Sequence, residues 1–138
     1  ATDAVIAALH TVGAKRFGMM SPLSVENSQS AVDYYTALGF DVALATALLV
    51  DKPENAVNVP MERVIEAFEE VDGPDIDTLL HVGGSLGIVP LIAELEDRFK
   101  KPVISVNQAT YWYALRRMGI TDPIPGFGEL MLKADIVD

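Results

Sequence analysis

The sequence predicts an α/β fold, a four-stranded parallel sheet with helices on both faces. Three observations predict it. Short apolar runs alternate with amphipathic segments from one end of the 138 residues to the other. The runs lack the polar-apolar alternation of a half-exposed strand, as expected for strands covered on both faces. Half of the residues are hydrophobic, enough for a sizeable core. Strands that alternate with helices imply right-handed crossovers and parallel pairing.

The elements follow in order. Thr2 is placed to cap a first helix carrying Val5, Leu9 and Val12, with Gly13 as its stop. Phe17 to Met20 is a strand ended by Ser21-Pro22. Ser24 to Phe40 reads as a helix, with Val32, Tyr35 and Leu38 on one side and Gly39 past its end. The apolar run Asp41 to Val50 fits strand or helix by periodicity; its place after a helix and a glycine makes the first half strand. A polar connection, 51–59, leads to Pro60, suited to the first turn of a helix bearing Met61, Val64, Ile65 and Phe68. After the turn cluster DGPDID, Thr78 to Val82 is a strand and Ile88 to Phe99 a helix facing inward with Ile88, Ile92, Leu95 and Phe99. Residues 101–108 read as a last strand and 109–119 as a helix stopped by Gly119. Residues 1–119 thus make one domain. Residues 120–138, with two prolines and two glycines, read as an irregular crossing segment.

The formal net charge of −10 argues against a nucleic-acid partner, which would select a basic face. It leaves room for a small anion, which backbone N–H groups bind without Lys or Arg. There is no cysteine, so no disulfide and no thiolate ligand, and His10 and His81 are too far apart in sequence for a convincing metal site. No apolar run reaches the roughly 20 residues of a membrane helix. No basic-then-apolar leader opens the sequence, and a cytoplasmic location is the expectation.

In such sheets ligands bind beyond the carboxyl ends of the strands. Those loops are Ser21 to Glu26, 50–58, Gly83 to Gly87 and Asn107 to Thr110. GGSLG, residues 83–87, is the most informative. Three glycines permit close approach of backbone, Ser85 adds a hydroxyl, and a following helix would aim unpaired N–H groups at the loop. It reads as a carboxylate or phosphate cradle, or as a tight strand-to-helix turn. It is neither a Walker loop nor G-x-G-x-x-G. Ser21 and Ser24 either donate to the same ligand or cap the next helix, capping being the stronger reading for Ser24. Asn107 and Gln108 either hold a loop or orient a carboxylate. Tyr111 to Tyr113 read as core or interface, and His81 as a packed, hydrogen-bonded strand residue.

The segment KPVISVNQATYWYALRRMGI resembles the strand and helix near the end of the aspartate/glutamate racemase superfamily, in the branch of maleate cis-trans isomerase and arylmalonate decarboxylase. The opening ATDAVIAALHTVGAKRFGMMSP resembles the start of that branch's second half. The resemblance implies a flavodoxin-like three-layer sandwich, one half of a two-domain pseudo-symmetric enzyme with its site between the halves. It implies no cofactor, a small mono- or dicarboxylic acid as substrate, and racemisation, isomerisation or decarboxylation through an enolate-like intermediate. The partners it implies are an N-terminal half outside this sequence and further copies of the chain in a homo-oligomer. In that branch the strand before the loop usually ends in Cys; here Gly83 stands at that position, followed by Gly84, Ser85 and Leu86. Leu23 stands where many relatives have Tyr. The expected substrate-binding residues are therefore Ser21, Gly83, Gly84, Ser85, Leu86 and Asn107, with no catalytic residue in this half. A further expectation is that Gly83 lines the cleft with room beside it for a thiol. The alternative is a non-catalytic module that binds a small anion or a protein partner.

Overall fold

Four parallel strands form the sheet, and hydrogen bonds order them as 41–47, 16–21, 78–81, 103–105 across its width. In chain order they are β1 (Arg16–Ser21), β2 (Asp41–Ala47), β3 (Thr78–His81) and β4 (Val103–Ser105). The helices are α1 (Thr2–Thr11), α2 (Val25–Ala37), α3 (Met61–Val71), α4 (Ile92–Phe99) and α5 (Val106–Arg117). The computed structural model describes all 138 residues.

Strand alternation sorts the core into two layers. Met19, Leu80 and Ile104 lie side by side in register and face α1, α5 and Tyr35 of α2. Leu79 and Val103, also in register, face the other way with Met20, against α3 and α4. Phe17, Leu79, Leu80 and Ile104 are fully buried, and each such side chain contributes on the order of 2 kcal/mol of hydrophobic stabilisation. Gly18 of β1 is glycine because α3 ends against it: a Cβ there would come 1.9 Å from the Val71 carbonyl oxygen.

Local chemistry explains where the elements start and stop, and three expected boundaries change. Thr2 lies inside α1, whose N-cap is Ala1 with no side-chain bond; a chain that starts here leaves no residue before Ala1 to carry Thr2 outside the helix. Gly13 does end the helix, at φ +75, with Ala14 N–H donating to Leu9 O at 2.9 Å. Ser24 caps α2, its hydroxyl accepting from Asn27 N–H at 3.1 Å. The polar connection 51–59 winds into a 3-10 turn, Pro53–Asn58. The helix expected from Ile88 begins at Ile92, preceded by a 3-10 turn at Val89–Leu91. Val89 precedes Pro90, and a residue before proline resists the α conformation. The last strand ends at Ser105 rather than residue 108, because Ser105 and Gln108 form a capping box that starts α5 at once.

Residues 120–138 lie against α1, α4 and α5 of the same domain, with one 3-10 turn at Glu129–Leu132. Leu130 and Met131 complete the first core layer. Arg116 is buried and gives all of its nitrogens to carbonyls of this segment: Nε to Lys133 O at 2.7 Å, Nη1 to Ile120 O at 2.7 Å and Nη2 to Met131 O at 3.1 Å. Trp112 Nε1 adds a second bond to Lys133 O at 3.0 Å. Glu96 accepts from Glu129 N–H at 2.9 Å, and burial raises its carboxyl above the usual range.

Candidate functional site

The carboxyl edge of the sheet gathers three segments from separate parts of the sequence. β1 delivers Ser21 and Pro22, β3 delivers the loop Gly83 to Gly87, and the first turn of α5 delivers Asn107. Strand order makes β1, β3 and β4 neighbours, so these segments adjoin. Pro22 packs against Gly83, and Asn107 Nδ2 donates to Gly84 O at 3.0 Å.

The loop is a turn closed by Leu86 N–H donating to Gly83 O at 3.2 Å. The N–H groups of Gly84, Ser85 and Gly87 make no hydrogen bond within the chain. Gly84 and Gly87 are exposed and Ser85 is half-buried. Three outward donors on a short loop can hold an oxyanion or a carboxylate, since each carries a positive partial charge and none has an internal partner to give up. These donors belong to the loop itself, because α4 starts too late to contribute its own first turn. The helix end that does reach this edge is that of α5, with its positive dipole end beside Asn107.

The expected site residues fare differently. Gly84, Ser85 and Asn107 meet at the edge. Leu86 turns its side chain into the second core layer and spends its N–H on the turn. Ser21 is buried, and its Oγ accepts a long bond, 3.4 Å, from Leu23 N–H. Gly83 overturns the expectation of room for a thiol. Its φ is +98, a region that L side chains avoid, and a Cβ would lie 2.5 Å from Pro22 Cδ. Glycine is demanded there by the backbone.

His81 is fully buried at the end of β3, in register with Met20 and Ser105. Its Nδ1 lies 3.0 Å from Ser105 Oγ, while Nε2 is buried without a partner. Burial pushes the imidazole down to about 4, the backbone of Gly83 opposing the shift, so the ring is neutral at pH 7. Beside Asn107 opens a cavity of about 450 Å³, walled by Val89, Gln108, Tyr111, Ile124, Phe127 and Met131. The sequence reading missed this cavity, because the tail that supplies Ile124, Phe127 and Met131 has no periodicity to place it. The role of Ser105 was legible in principle, since S-V-N-Q is a capping-box pattern. No three His, Cys, Asp or Glu side chains group as a metal site. No helix is long and apolar enough to cross a membrane.

A sequence model of the arylmalonate decarboxylase family matches residues 1–131. The maleate isomerase of Geobacillus stearothermophilus is 26% identical over 130 residues, which are 93% of this chain and 51% of that protein. That of Nocardia farcinica is 26% identical over 135 residues, covering 97% of this chain and 54% of the relative. Among solved structures, a cysteine-to-serine variant of Nocardia farcinica maleate cis-trans isomerase with a covalently bound succinylcysteine intermediate superposes with a TM-score of 0.89 at 26% identity, over 94% of this chain and 53% of that one. A liganded double variant of arylmalonate decarboxylase gives 0.84 at 25% identity, over 94% and 56%. The chain spans about half the length of the relatives it matches. With the family matched over nearly its whole length, the chain belongs to the arylmalonate decarboxylase family, within the maleate isomerase and arylmalonate decarboxylase branch of the aspartate/glutamate racemase superfamily.

Proposed function

We propose that this chain is the carboxylate-holding half of a cofactor-independent racemase, isomerase or decarboxylase acting on a small mono- or dicarboxylic acid. The observation that carries the reading is the trio of unpaired N–H groups on Gly84, Ser85 and Gly87, beside Asn107. In this reading a substrate carboxylate sits on the loop amides. When a bond next to it breaks, the electron pair moves onto the carboxylate oxygens as an enolate. Donors aimed at those oxygens stabilise the developing charge, and a fixed loop does so without reorganising. The proton that ends the reaction comes from a thiol of another half, since this chain holds no cysteine. A single thiol suits a one-sided reaction such as decarboxylation, whereas racemisation needs an acid and a base on opposite faces.

The partner half would dock on the carboxyl edge. Val25, Leu49 and Val57 are all exposed, at 64%, 62% and 74%, and all follow the carboxyl end of β1 or β2. Apolar side chains gathered at one edge mark a surface that another body covers.

Backbone amide shifts during titration with malonate or maleate test the carboxylate reading, with chloride as the control. Gly84, Ser85 and Gly87 should shift and saturate; equal shifts with chloride, or none, would overturn it. One observation favours a second reading, a non-catalytic anion-binding module: Gly83 cannot be exchanged for the cysteine of the branch without strain. Assay of the whole protein with maleate, arylmalonates and amino-acid enantiomers separates the two, because turnover of none of them leaves the binding module.

A further inference from the structure

His81 stands two residues before the glycine loop and reaches both structures that make the edge. Its Nδ1 faces Ser105 Oγ at 3.0 Å. Ser105 Oγ also faces the first turn of α5 in the capping box, where it accepts from the backbone of Gln108. A hydroxyl that accepts there has its own proton free for Nδ1, so the ring proton belongs on Nε2. Nε2 is buried with no partner of its own. The one group besides burial that acts on the ring's protonation is the backbone of Gly83, and it favours the protonated ring, as a carbonyl facing a ring N–H does. The Gly83 carbonyl is already turned inward, accepting from Leu86 N–H. A trans peptide points its N–H opposite to its carbonyl. An inward Gly83 carbonyl therefore means an outward Gly84 N–H.

We propose that His81 is a positioning residue: fixed by Ser105 as the neutral Nε2–H tautomer, it holds the Gly83 carbonyl on the core side of the loop and so keeps the Gly84 N–H aimed at the carboxyl edge. Its effect on ligand binding rests on the reading of that edge as a carboxylate site. Its effect on the peptide plane does not. His81 touches no ligand. It replaces, with a rigid ring in the core, the backbone support that a following helix would have supplied had α4 begun at the loop.

Two measurements on the 138-residue chain test this. Long-range 1H–15N correlations of the imidazole in the unmodified chain at pH 7 read the tautomer directly. The expected result is a neutral ring with its proton on Nε2; a proton on Nδ1, or an imidazolium, overturns the proposal with no variant needed. The second measurement compares His81→Leu, which removes the donor, with His81→Gln, whose amide nitrogen replaces Nε2–H. The residual dipolar coupling of the Gly84 N–H should change in the leucine variant and stay near the wild-type value in the glutamine variant. Malonate affinity, followed at the same amide, should fall about tenfold with leucine and less than about threefold with glutamine, the size of one lost hydrogen bond. Equal effects of the two variants on the coupling mean that His81 only fills space, and overturn the proposal. If the unmodified chain ignores malonate while the tautomer and couplings come out as expected, the carboxylate reading falls and the positioning role stands.

Discussion

Gly83 and Gly87 are four positions apart in one loop, and a side chain would meet different surroundings at each. At Gly83 it would need φ +98 and would press into Pro22; at Gly87 no atom lies within 4 Å of an added Cβ, and φ is not in the strained range. Gly83→Ala should therefore cost about 2 kcal/mol or more in urea unfolding, while Gly87→Ala should stay within about 0.5 kcal/mol. Equal losses would mean that the loop is glycine-rich for flexibility rather than for one strained peptide. His81 supplies the pH dependence at this scale. Its folded value, about 4, lies below the ordinary 6.5. The unfolded chain therefore takes up the proton first as pH falls, and stability drops between about 6.5 and 4, by on the order of 3 kcal/mol. Glu96, raised by burial, works in the opposite sense near its own range. Comparison with His81→Phe isolates the histidine: the acid slope of stability between pH 6.5 and 4 should flatten, and an unchanged slope would contradict the assignment.

Among the elements, the boundary between β4 and α5 shows what a sequence reveals and what it hides. The apolar run through Val103 to Val106 announces a strand, but S-V-N-Q carries a capping box inside the same letters, and the box wins because it satisfies two backbone groups at the turn. This moves Asn107 from a strand end to a helix start, where its amide reaches Gly84. The late start of α4 was hidden for another reason: Val89 and Leu91 keep helical spacing, and only Pro90 signals the interruption. The bond between α5 and the tail was not legible at all. Arg116 sits among positions that read as a solvated helix face, and nothing local tells that its guanidinium is buried against three carbonyls. A buried cation held only by carbonyl oxygens is sensitive to any loss of partners. Arg116→Met, which keeps the stem but leaves the carbonyls of Ile120, Met131 and Lys133 unpaired, should destabilise by about 3 kcal/mol. Limited proteolysis should then cut between residues 120 and 133 before the rest of the domain. Wild-type resistance of that segment in the variant would place its anchorage elsewhere.

For the whole molecule, alternation of apolar runs was enough to predict four parallel strands, because burial on both faces leaves no other arrangement for such runs. The candidate site was legible in part. Its segments are known from topology, as the carboxyl edge of any such sheet, while the orientation of each peptide depends on packing from β1 and α5 that no local pattern records. Exposed apolar side chains beside an otherwise acidic surface set the expectation for the isolated chain. It should self-associate with concentration in sedimentation experiments, through the edge bearing Val25, Leu49 and Val57. It should also show no turnover of maleate, an arylmalonate or an amino-acid enantiomer, having no thiol and no activated hydroxyl. Substrate-specific turnover by these 138 residues would sink the half-site argument.

The contact between Pro22 and Gly83 also bears on history. A sulfur at position 83 is one codon away on paper, yet the ring of Pro22 stands 2.5 Å from where its Cβ would go. The order of substitutions then matters: a change at Pro22 must come first, or accompany it, for the second to be tolerated. The two positions should be epistatic, with Pro22→Ala plus Gly83→Ala less damaging than the sum of the separate losses. Even then the left-handed backbone remains to be relaxed. The loop is a lineage's one-way step, easier to enter by losing a side chain than to leave by regaining one.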